Sequence, residues 1–345
     1  MDTSPRARTS VPASVLTPLP TPASEAALDF PGLLRYWRGR RGYSQLALSL
    51  AAGVSQRHIS FLESGRARPS RAMVLALADR LAVPLRQRNR MLLAGGFAPA
   101  YTEHALAAPP LQRVRQAIAL ILAKQEPYPA VVLDRYWHVV DANLAYRCLL
   151  GRLHGLEGPL ALPQGDARIN LMLAVFDPQG LWPALENAQQ VGRYLLRRFW
   201  QEMQQQAPDE SAQDLLAQVA AWHPQLFGPD GTPGEGPGEG RGEGPDGDGE
   251  DGEGGEGGEG GEGEGEREAL APVLPVTLRV GTRRVAMFST LTTLGSPRDI
   301  TLQEVHIESF FPADDATREI FEQMAREQMA REATAAGEGR AAARA

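Results

Sequence analysis

The fold of the first part of the chain is decided by residues 44–65, SQLALSLAAGVSQRHISFLESG. Ser44 and Ser55 each stand before a short run whose apolar residues have helical spacing. A serine hydroxyl in that place accepts a hydrogen bond from a free amide of the first helical turn. The stretch therefore predicts one helix at 45–51 and a second at 56–64.

A sharp turn joins these two helices. Gly53 supplies the backbone freedom that the turn needs, and Gly65 ends the second helix. The apolar positions have the spacing that locks two short helices at a fixed angle, and they are Leu48, Ala52, Val54, Ile59 and Leu62. With further helices at 32–41 and 71–81, residues 29–97 are predicted to be an all-α helix-turn-helix domain.

The charge of this segment indicates a polyanionic partner. The whole chain carries a net charge of -7, which by itself would argue against nucleic acid. Between residues 30 and 97, however, twelve arginines stand against only Glu63 and Asp79, a balance of +10. Because the local field decides what binds, the expected partner is a double-stranded DNA operator.

The second helix is expected to read the DNA. A recognition helix places its N-terminal residues in the major groove, and here these are Ser55, Gln56, Arg57 and Ser60. Gln56 and Arg57 are the candidates for base readout, because Gln pairs well with adenine and Arg with guanine. Phe61 either touches a thymine methyl group or packs in the domain core, and the sequence leaves both open.

Phosphate contacts are expected around the same helix. Gln45, at the start of the preceding helix, is placed to bind a phosphate. The basic candidates, for each of which a solvated surface role is the alternative, are Arg38, Arg40, Arg41, Arg66 and Arg68. Contacts of this kind would make DNA affinity fall steeply with salt.

The segment resembles the Xre/Cro-type helix-turn-helix of bacterial regulators. The resemblance covers about residues 30–97 and rests on the runs LRYWRGRRGYSQ (34–45), AGVS (52–55), FLESG (61–65) and RPS (68–70). Such a domain is expected to bind an inverted repeat as a homodimer, with half-sites about one helical turn apart. Leu46 and Leu50 stand where that family usually has charged residues, so they are expected to pack against a dimer partner or another domain.

A connector (98–125) with a helix at 111–125 leads to a second predicted domain, 126–312. Two strands, at 130–133 and 136–140, flank Asp134-Arg135 as a tight hairpin. Further elements are expected as helices at 142–149, 183–206 and 211–222 and as strands at 276–280, 285–290 and 303–310. This order predicts an α+β fold in which helices pack on a face of one antiparallel sheet.

The second domain is similar to the MmyB-like (MltR-type) ligand-binding domain. The similarity rests on the runs EPYPAVV (126–132), WHVVDAN (137–143), FSTLTTLG (288–295) and IESFFP (307–312). It implies a PAS-like α+β sensor domain with an apolar cavity for a fatty-acyl ligand.

Large side chains of this domain are candidates for the cavity wall, with core packing as the alternative for each. They are Trp137, Phe176, Trp182, Tyr194, Leu195, Phe199, Phe288 and Phe310. Ligand sites combine apolar walls with a few polar groups, and Asn143, Arg193 and His306 are the candidates for binding a carboxylate. Asn143 has a second interpretation, as the cap of the helix that follows the hairpin.

Two segments predict solvated chain. Residues 1–28 are rich in Pro, Ser, Thr and Ala and indicate a disordered leader. Residues 228–268 hold nineteen of the 36 glycines and fifteen acidic residues against Arg241 and Arg267, so they predict a disordered acidic loop that interrupts the second domain. An acidic mimic of DNA is the alternative for that loop. A surface helix at 314–332 is expected within the C-terminal segment 313–345, which ends in a tail.

The remaining patterns argue against enzymes and membrane proteins. The histidines are scattered, no cofactor or metal motif is present, and the single cysteine, Cys148, is typical of a small buried hydrophobe. No apolar run is long enough to span a bilayer, so the expected location is the cytoplasm. The sequence thus predicts a ligand-responsive transcription regulator. The alternatives are a DNA-binding protein whose second domain docks a protein partner, and an enzyme with a DNA-binding leader.

Overall fold

The computed structural model describes residues 16–18, 29–163, 167–204, 210–229, 231–234, 275–294 and 299–342. The first part of the chain is helical, with α1 (Phe30–Arg40), α2 (Gln45–Ala52), α3 (Gln56–Glu63), α4 (Arg71–Arg80) and α5 (Leu85–Ala94). The predicted helices of the helix-turn-helix are all present close to their expected ends. The predicted domain boundaries at residues 97 and 125 stay predictions.

The helix ends form as the sequence predicts. The Ser44 hydroxyl accepts a hydrogen bond from the Ala47 amide at 3.0 Å, and the Ser55 hydroxyl accepts one from the His58 amide at 3.2 Å. Gly53 has a φ angle of 66°, in the left-handed region that glycine adopts most easily. The turn between α2 and α3 is therefore set by local chemistry.

A small apolar core holds the helical domain together. Trp37 of α1 is completely buried, and it packs with side chains from the other helices, among them Leu48, Ile59, Leu62, Val74, Leu77 and Met91. Burying such side chains contributes about 1.5–3 kcal/mol each. Packing therefore stabilises helices that are individually too short to be stable alone.

The second part of the chain is built on a five-stranded antiparallel sheet. Its strands are β2 (Ala130–Leu133), β3 (Val139–Ala142), β5 (Val276–Val280), β6 (Arg283–Thr293) and β7 (His306–Pro312), in the order β3-β2-β7-β6-β5. A separate two-stranded sheet pairs β1 (Leu16–Pro18) with β4 (Ala167–Ile169). The N-terminal all-α domain followed by a PAS-like α+β domain with an antiparallel sheet is confirmed.

Helices cover both faces of the main sheet. α6 (Gln112–Gln125) packs against Ala130 and Val132, whereas Val131 and Leu133 face the opposite side. The elements after β3 are α7 (Leu144–Leu153), α8 (Leu171–Phe176), α9 (Ala188–Gln204), α10 (Glu210–Trp222), α11 (Ile300–Glu304) and α12 (Asp315–Ala342). All four residues of β2 are buried for this reason, so the expectation of helices on a single face was too narrow.

The two strands pair as an antiparallel hairpin, as predicted, but the expected tight turn at Asp134-Arg135 is wrong. The second strand begins only at Val139, and the intervening loop is held by the Asp134 carboxylate, which accepts hydrogen bonds from the amides of Tyr136 and His138. Trp137, in this loop, has a φ angle of 64°. A bulky residue with a positive φ angle is uncommon, and no pattern in the sequence predicts this conformation for Trp137.

Other elements differ from their expected limits. α9 begins at Ala188, because Pro183 lies in a separate short turn at Trp182–Ala184. α11 occupies the beginning of the predicted strand at 303–310, and β4 and α8 were not expected. α12 was predicted as a surface helix, but its Phe321 and Met324 are buried in the main core.

Two predicted disordered segments fall mostly outside the described residues. Of the leader 1–28, residues 16–18 are described and form a strand, so the prediction is wrong there. Of the acidic loop 228–268, the described start forms a turn in which the Gly228 amide donates to the Thr232 carbonyl at 2.7 Å. The rest of both segments, and residues 343–345 of the tail, lie outside the described part.

Candidate DNA-binding surface and effector site

The N-terminal end of α3 carries the residues that were predicted to reach DNA. Ser55, Gln56 and Arg57 are exposed, and Ser60 and Phe61 are half-buried. The guanidinium carbon of Arg57 lies 5.1 Å from the centre of the Phe61 ring. Phe61 therefore supports Arg57 by a cation–π contact, and its contact with a thymine methyl group stays a prediction.

Arg38 is bound within the domain. Its Nε and Nη2 atoms donate to the Glu63 carboxylate at 2.5 and 3.1 Å, and Nη1 donates to the Tyr43 carbonyl at 2.9 Å. The hydrogen bonds to Glu63 are the main cause of the raised pKa of Arg38. Because its nitrogens are directed inward, the structure argues against the predicted phosphate contact of Arg38.

Glu63 also ties the second helix into this network. The carboxylate is buried, and its Oε2 accepts a hydrogen bond from the Gln45 side-chain amide at 2.8 Å. A primary amide has two N–H donors, so Gln45 can keep this bond and donate to a phosphate as well. Its predicted phosphate contact remains compatible with the geometry.

The other predicted basic contacts divide into two groups. Arg41 donates to the carbonyls of Leu81 and Ala82, both at 2.9 Å, so it stabilises the end of α4. Arg66 and Arg68 are exposed in the segment after α3. These two remain candidates for phosphate contacts.

A cavity of about 80 Å³ lies between the main sheet and helices α7 to α9. Its wall is apolar except for Glu308 and Tyr146, and the other lining residues are Leu149, Leu150, Leu153, Leu171, Val175, Leu181, Leu185, Val191, Leu195, Val276, Leu278, Met287 and Phe310. An apolar interior with few polar groups is the usual composition of a small-molecule site.

The predicted wall residues are mostly elsewhere. Phe310 and Leu195 line the cavity, but Trp137, Phe176 and Phe199 are core residues outside it. The Trp182 ring packs on Phe176, with ring centres 5.5 Å apart. For these aromatic residues the core interpretation is the better one.

The remaining candidates also lie outside the cavity. Tyr194 is 47% exposed, and Phe288 stacks on Phe311 with ring centres 5.4 Å apart. The Asn143 side-chain oxygen accepts hydrogen bonds from the amides of Ala130 and Tyr146, so Asn143 caps α7. Arg193 is half-buried on α9 and does not line the cavity.

Glu308 of the cavity wall belongs to a group of buried and half-buried polar side chains. We call this group the polar cluster, and its members are Trp137, Arg198, Glu202, His306 and Glu308. Glu202 accepts hydrogen bonds from Arg198 Nε at 3.1 Å and from Trp137 Nε1 at 2.9 Å. The guanidinium carbon of Arg198 lies 4.7 Å from the centre of the Trp137 ring. Of these residues only Trp137 and His306 were singled out from the sequence.

Burial shifts the ionisation of this cluster. Burial raises the pKa of Glu308, which accepts a hydrogen bond from the Ser289 hydroxyl at 2.7 Å. Burial lowers the pKa of His306. Both shifts favour the uncharged form of the side chain.

A second, larger depression lies on the surface. It has a volume of about 660 Å³ and runs between the end of α6, the start of α7 and α12. Its floor includes Leu144, Cys148 and Phe321, and Met329 on its rim is 68% exposed. Cys148 is buried as expected, and burial raises the pKa of its thiol.

Two family models match the chain. Residues 34–87 match a helix-turn-helix model, and residues 114–227 match the model of an MmyB-like transcription regulator ligand binding domain. The chain joins a helix-turn-helix to an MmyB-like ligand-binding domain. It is therefore a ligand-responsive DNA-binding transcription regulator. No curated protein matches the chain.

The match to the MmyB-like domain ends before β5. The resemblance noted at 288–295 and 307–312 therefore rests on those runs alone. Glu308 and His306 lie in this unmatched part, whereas Arg198 and Glu202 lie in the matched part. The polar cluster is thus assembled from both sides of the acidic loop.

The helical part and the second part of the chain are in direct contact. We call this contact the clamp, and it comprises Leu85, Arg86, Glu103, Gln303 and Glu304. Arg86 Nε and Nη2 donate to the Glu304 carboxylate at 2.7 and 2.9 Å, and Arg86 also pairs with Glu103. The Leu85 amide donates to the Gln303 side-chain oxygen at 2.8 Å. The start of α5 is thereby bound to α11, which immediately precedes β7.

Two further observations concern membrane-spanning helices and metal sites. No helix in the described part of the chain is long and apolar enough to cross a membrane. Across the same ranges, no group of three or more His, Cys, Asp or Glu side chains is arranged to hold a metal ion.

Proposed function

We propose that this regulator binds an operator as a homodimer through α3, in the cytoplasm, and that an apolar, fatty-acyl-like effector in the second domain adjusts its DNA affinity. The clamp is the observation that carries the proposal. Glu304 of the clamp and Glu308 of the cavity wall are separated by only four positions of the chain. A ligand that moves β7 would therefore act on α5 over a short distance.

Base readout is assigned to Gln56 and Arg57. Both are exposed at the N-terminal end of α3, which is the end that enters the major groove in such domains. Each paired contact to a base contributes about 1–3 kcal/mol of discrimination. The cation–π contact with Phe61 supports this role for Arg57, because it limits the orientations of the guanidinium.

Dimerisation is supported by two exposed leucines. Leu46 and Leu50 lie one turn apart on α2 and are 52% and 76% exposed. Exposed apolar side chains in one patch favour a protein contact. This agrees with a dimer or interdomain role for the two positions where the helix-turn-helix family usually has charge.

The size of the cavity limits the effector. A void of about 80 Å³ is smaller than the roughly 150 Å³ cavity that holds benzene in an engineered protein. A long acyl chain therefore requires the surrounding leucines to move apart, whereas a short chain needs less rearrangement. Widening of this kind would displace β7 and so reach the clamp.

The experiment combines selection from random DNA with affinity measurements on the purified full chain. We expect one inverted repeat to be selected, and Arg57→Ala to lose about 1–3 kcal/mol of discrimination at one base pair of each half-site. Arg35→Ala, which removes another exposed arginine of the same domain, is the matched control and should leave the base preference unchanged. Absence of any selected sequence would contradict the proposal.

A protein-docking function is the second candidate, and the 660 Å³ depression beside α12 favours it. A partner seated there would cover Met329. Met329→Glu should then abolish regulation while acyl ligands still bind. A fatty-acyl effector in the cavity predicts instead that Met329→Glu leaves regulation intact, and that a cavity-filling change such as Val191→Trp abolishes both acyl binding and regulation.

A further inference from the structure

A further cavity, of about 240 Å³, lies beside α10, and we call it the α10 cavity. One face of this helix lines it, and the residues there include Ser211, Asp214, Leu215 and Gln218. The rest of the wall comes from the loop before β3, from α8 and from α9. It shares no lining residue with the apolar cavity between the main sheet and α7 to α9, so the two can be filled independently.

A buried histidine contributes a hydrogen-bond acceptor to this cavity. His138 is buried in the wall, and its Nδ1 lies 3.1 Å from Oδ2 of Asp134. The other oxygen of Asp134 accepts hydrogen bonds from the backbone amides of Tyr136 and His138 at 2.8 and 3.0 Å, which fixes the carboxylate. When Asp134 holds the proton of the neutral imidazole on Nδ1, Nε2 on the other side of the ring is an acceptor. A ligand hydroxyl is therefore a suitable partner for His138.

The charge of the wall is negative. Among the described residues that form it, Asp214 is the only Asp, Glu, Lys or Arg, and it is exposed. The polar side chains of Tyr136, Ser211 and Gln218 can donate or accept hydrogen bonds. A positively charged group is therefore matched at Asp214, whereas an anion would be repelled there.

The apolar part of the wall suits a single aromatic ring. Leu173, Phe199 and Leu215 line the cavity together with the ring of Tyr136. The volume of about 240 Å³ exceeds the roughly 150 Å³ of a cavity that holds benzene in an engineered protein. One ring with a short side arm therefore fits, and it can make the edge or offset contacts with Tyr136 or Phe199 that aromatic pairs prefer.

We propose that the α10 cavity binds a small aromatic amine. The ammonium group pairs with Asp214 at the exposed side, the ring packs on Phe199 and Leu215, and a hydroxyl on the ring donates to His138. This site is additional to the apolar effector site proposed above, and binding of the amine does not depend on that site.

Occupancy of the α10 cavity would reach the clamp through Arg135. The guanidinium carbon of Arg135 lies 4.1 Å from the centre of the Tyr136 ring, and its Nη1 lies 3.7 Å from Glu304 Oε1. Glu304 is the carboxylate that Arg86 binds in the clamp. A ligand ring that packs on Tyr136 thus changes the surroundings of a residue in contact with Glu304. This step, unlike binding of the amine, rests on the proposed transmission from the clamp to α5.

The test is calorimetric titration of the full chain with four probes that share one ring, which are tyramine, phenethylamine, 4-ethylphenol and 3-(4-hydroxyphenyl)propionate. Tyramine should bind about three- to fivefold more tightly than 4-ethylphenol, because the ion pair with Asp214 is exposed to solvent. Phenethylamine lacks the hydroxyl and should bind about five- to tenfold more weakly than tyramine, because the lost hydrogen bond is to a buried nitrogen. The propionate should bind more weakly than 4-ethylphenol, since its carboxylate meets Asp214.

Variants assign the binding to the α10 cavity. Asp214→Asn should lower the affinity for tyramine to about that of 4-ethylphenol and leave 4-ethylphenol unchanged. Glu319→Gln removes an exposed carboxylate of α12 outside the cavity, so it is the matched control and should change neither. Ser211→Phe places a ring in the cavity and should abolish binding of all four probes. Val191→Trp fills the apolar cavity instead and should leave tyramine binding intact.

The outcomes that contradict the proposal are distinct. Equal affinities of tyramine, 4-ethylphenol and the propionate would overturn the assignment of an amine, and absence of binding by every probe would overturn the site. Tyramine binding that survives Ser211→Phe and is lost in Val191→Trp would place the ring in the apolar cavity and overturn the proposal as well.

Fluorescence anisotropy with the selected operator tests the link to the clamp. Tyramine should change the DNA affinity about fivefold or more, and Arg135→Met should remove that change while tyramine still binds. Binding of tyramine without any change in DNA affinity would support the site and overturn the link to the clamp.

Discussion

Two half-buried arginines, Arg38 in the helical domain and Arg198 in the ligand-binding domain, show how differently the two parts of the molecule use the same side chain. Arg38 donates from Nε, Nη1 and Nη2 to Glu63 and Tyr43. Arg198 donates from Nε to Glu202, but its buried Nη2 has no partner. The first guanidinium joins α1 to α3 and to the residue before the α2 cap, whereas the second keeps one buried nitrogen without a partner.

The two arginines indicate different structural requirements in the two domains. A buried carboxylate with a matched arginine fixes a geometry, and the helical domain needs a fixed geometry to present α3. The ligand-binding domain retains an incompletely paired group beside a cavity, and such a group lowers stability unless something binds it. Changes at the two arginines should therefore have effects of different size on stability.

The largest effect is expected from Arg38→Met. The substitution leaves the Glu63 carboxylate buried and without its main partner, and removing one member of a buried pair costs about 3–5 kcal/mol. Because the Arg38 side chain is 20% exposed, we expect a loss at the lower end, about 3 kcal/mol. The measurement is urea unfolding of the full chain, with hydrogen exchange of amides in α1–α3 to locate the change.

The control for Arg38→Met is Asp79→Ala. Asp79 pairs with Arg88 at 3.4 Å, but the Asp79 side chain is 71% exposed. An exposed pair contributes about 0–1 kcal/mol, so the unfolding transition should hardly move. Equal destabilisation by the two variants would show that Glu63 is not held as the structure indicates.

The helical domain could be predicted from the sequence because its signals are local. Ser44, Gly53 and Ser55 act on their immediate neighbours, and the cap or turn that each one forms requires no distant residue. The Arg38–Glu63 pair was missed, since 25 positions separate the two residues and both were assessed singly. Arginines in a basic segment were accordingly all taken as candidates for DNA contacts.

The cavity and the polar cluster beside it could not be predicted in the same way, because their members are far apart in the chain. Arg198 and Glu308 come from opposite sides of the acidic loop, and only the folded sheet brings them together. A weak signal did exist in β7, where His306 and Glu308 alternate with Ile307 and so place polar groups on one face of a strand. Large aromatic side chains were chosen instead, and most of these pack in the core.

An intermediate effect is expected from breaking the clamp with Arg86→Ala. If effector binding is transmitted from β7 to α5 through Glu304, the change in DNA affinity on adding hexanoate should disappear. Allosteric coupling of this kind is usually about 1–3 kcal/mol. Fluorescence anisotropy with the selected operator, with and without hexanoate, measures the loss directly.

Glu304→Ala and Glu103→Ala distinguish the clamp from a general loss of charge. Glu304→Ala should reproduce the uncoupling and add nothing to Arg86→Ala in the double variant, because the two side chains act as one unit. The Glu103 side chain is 50% exposed, so its removal should retain most of the coupling. Full coupling in Arg86→Ala would mean that the signal travels by another route.

The smallest effect on stability is expected from Arg198→Met. It tests directly whether the two arginines have different roles. The variant removes the unpartnered Nη2 together with the Nε bond to Glu202, which is 34% exposed and keeps its bond from Trp137, and the 3.8 Å ion pair with Glu308. Burial raises the pKa of Glu308 and so favours its uncharged form. Little charge is then left uncompensated when the arginine is lost, so the stability of the ligand-free protein should change by no more than about 1 kcal/mol. Thermal unfolding gives the sign, and hydrogen exchange in β7 and α9 gives the location. A loss as large as that of Arg38→Met would mean that Arg198, like Arg38, holds the fold.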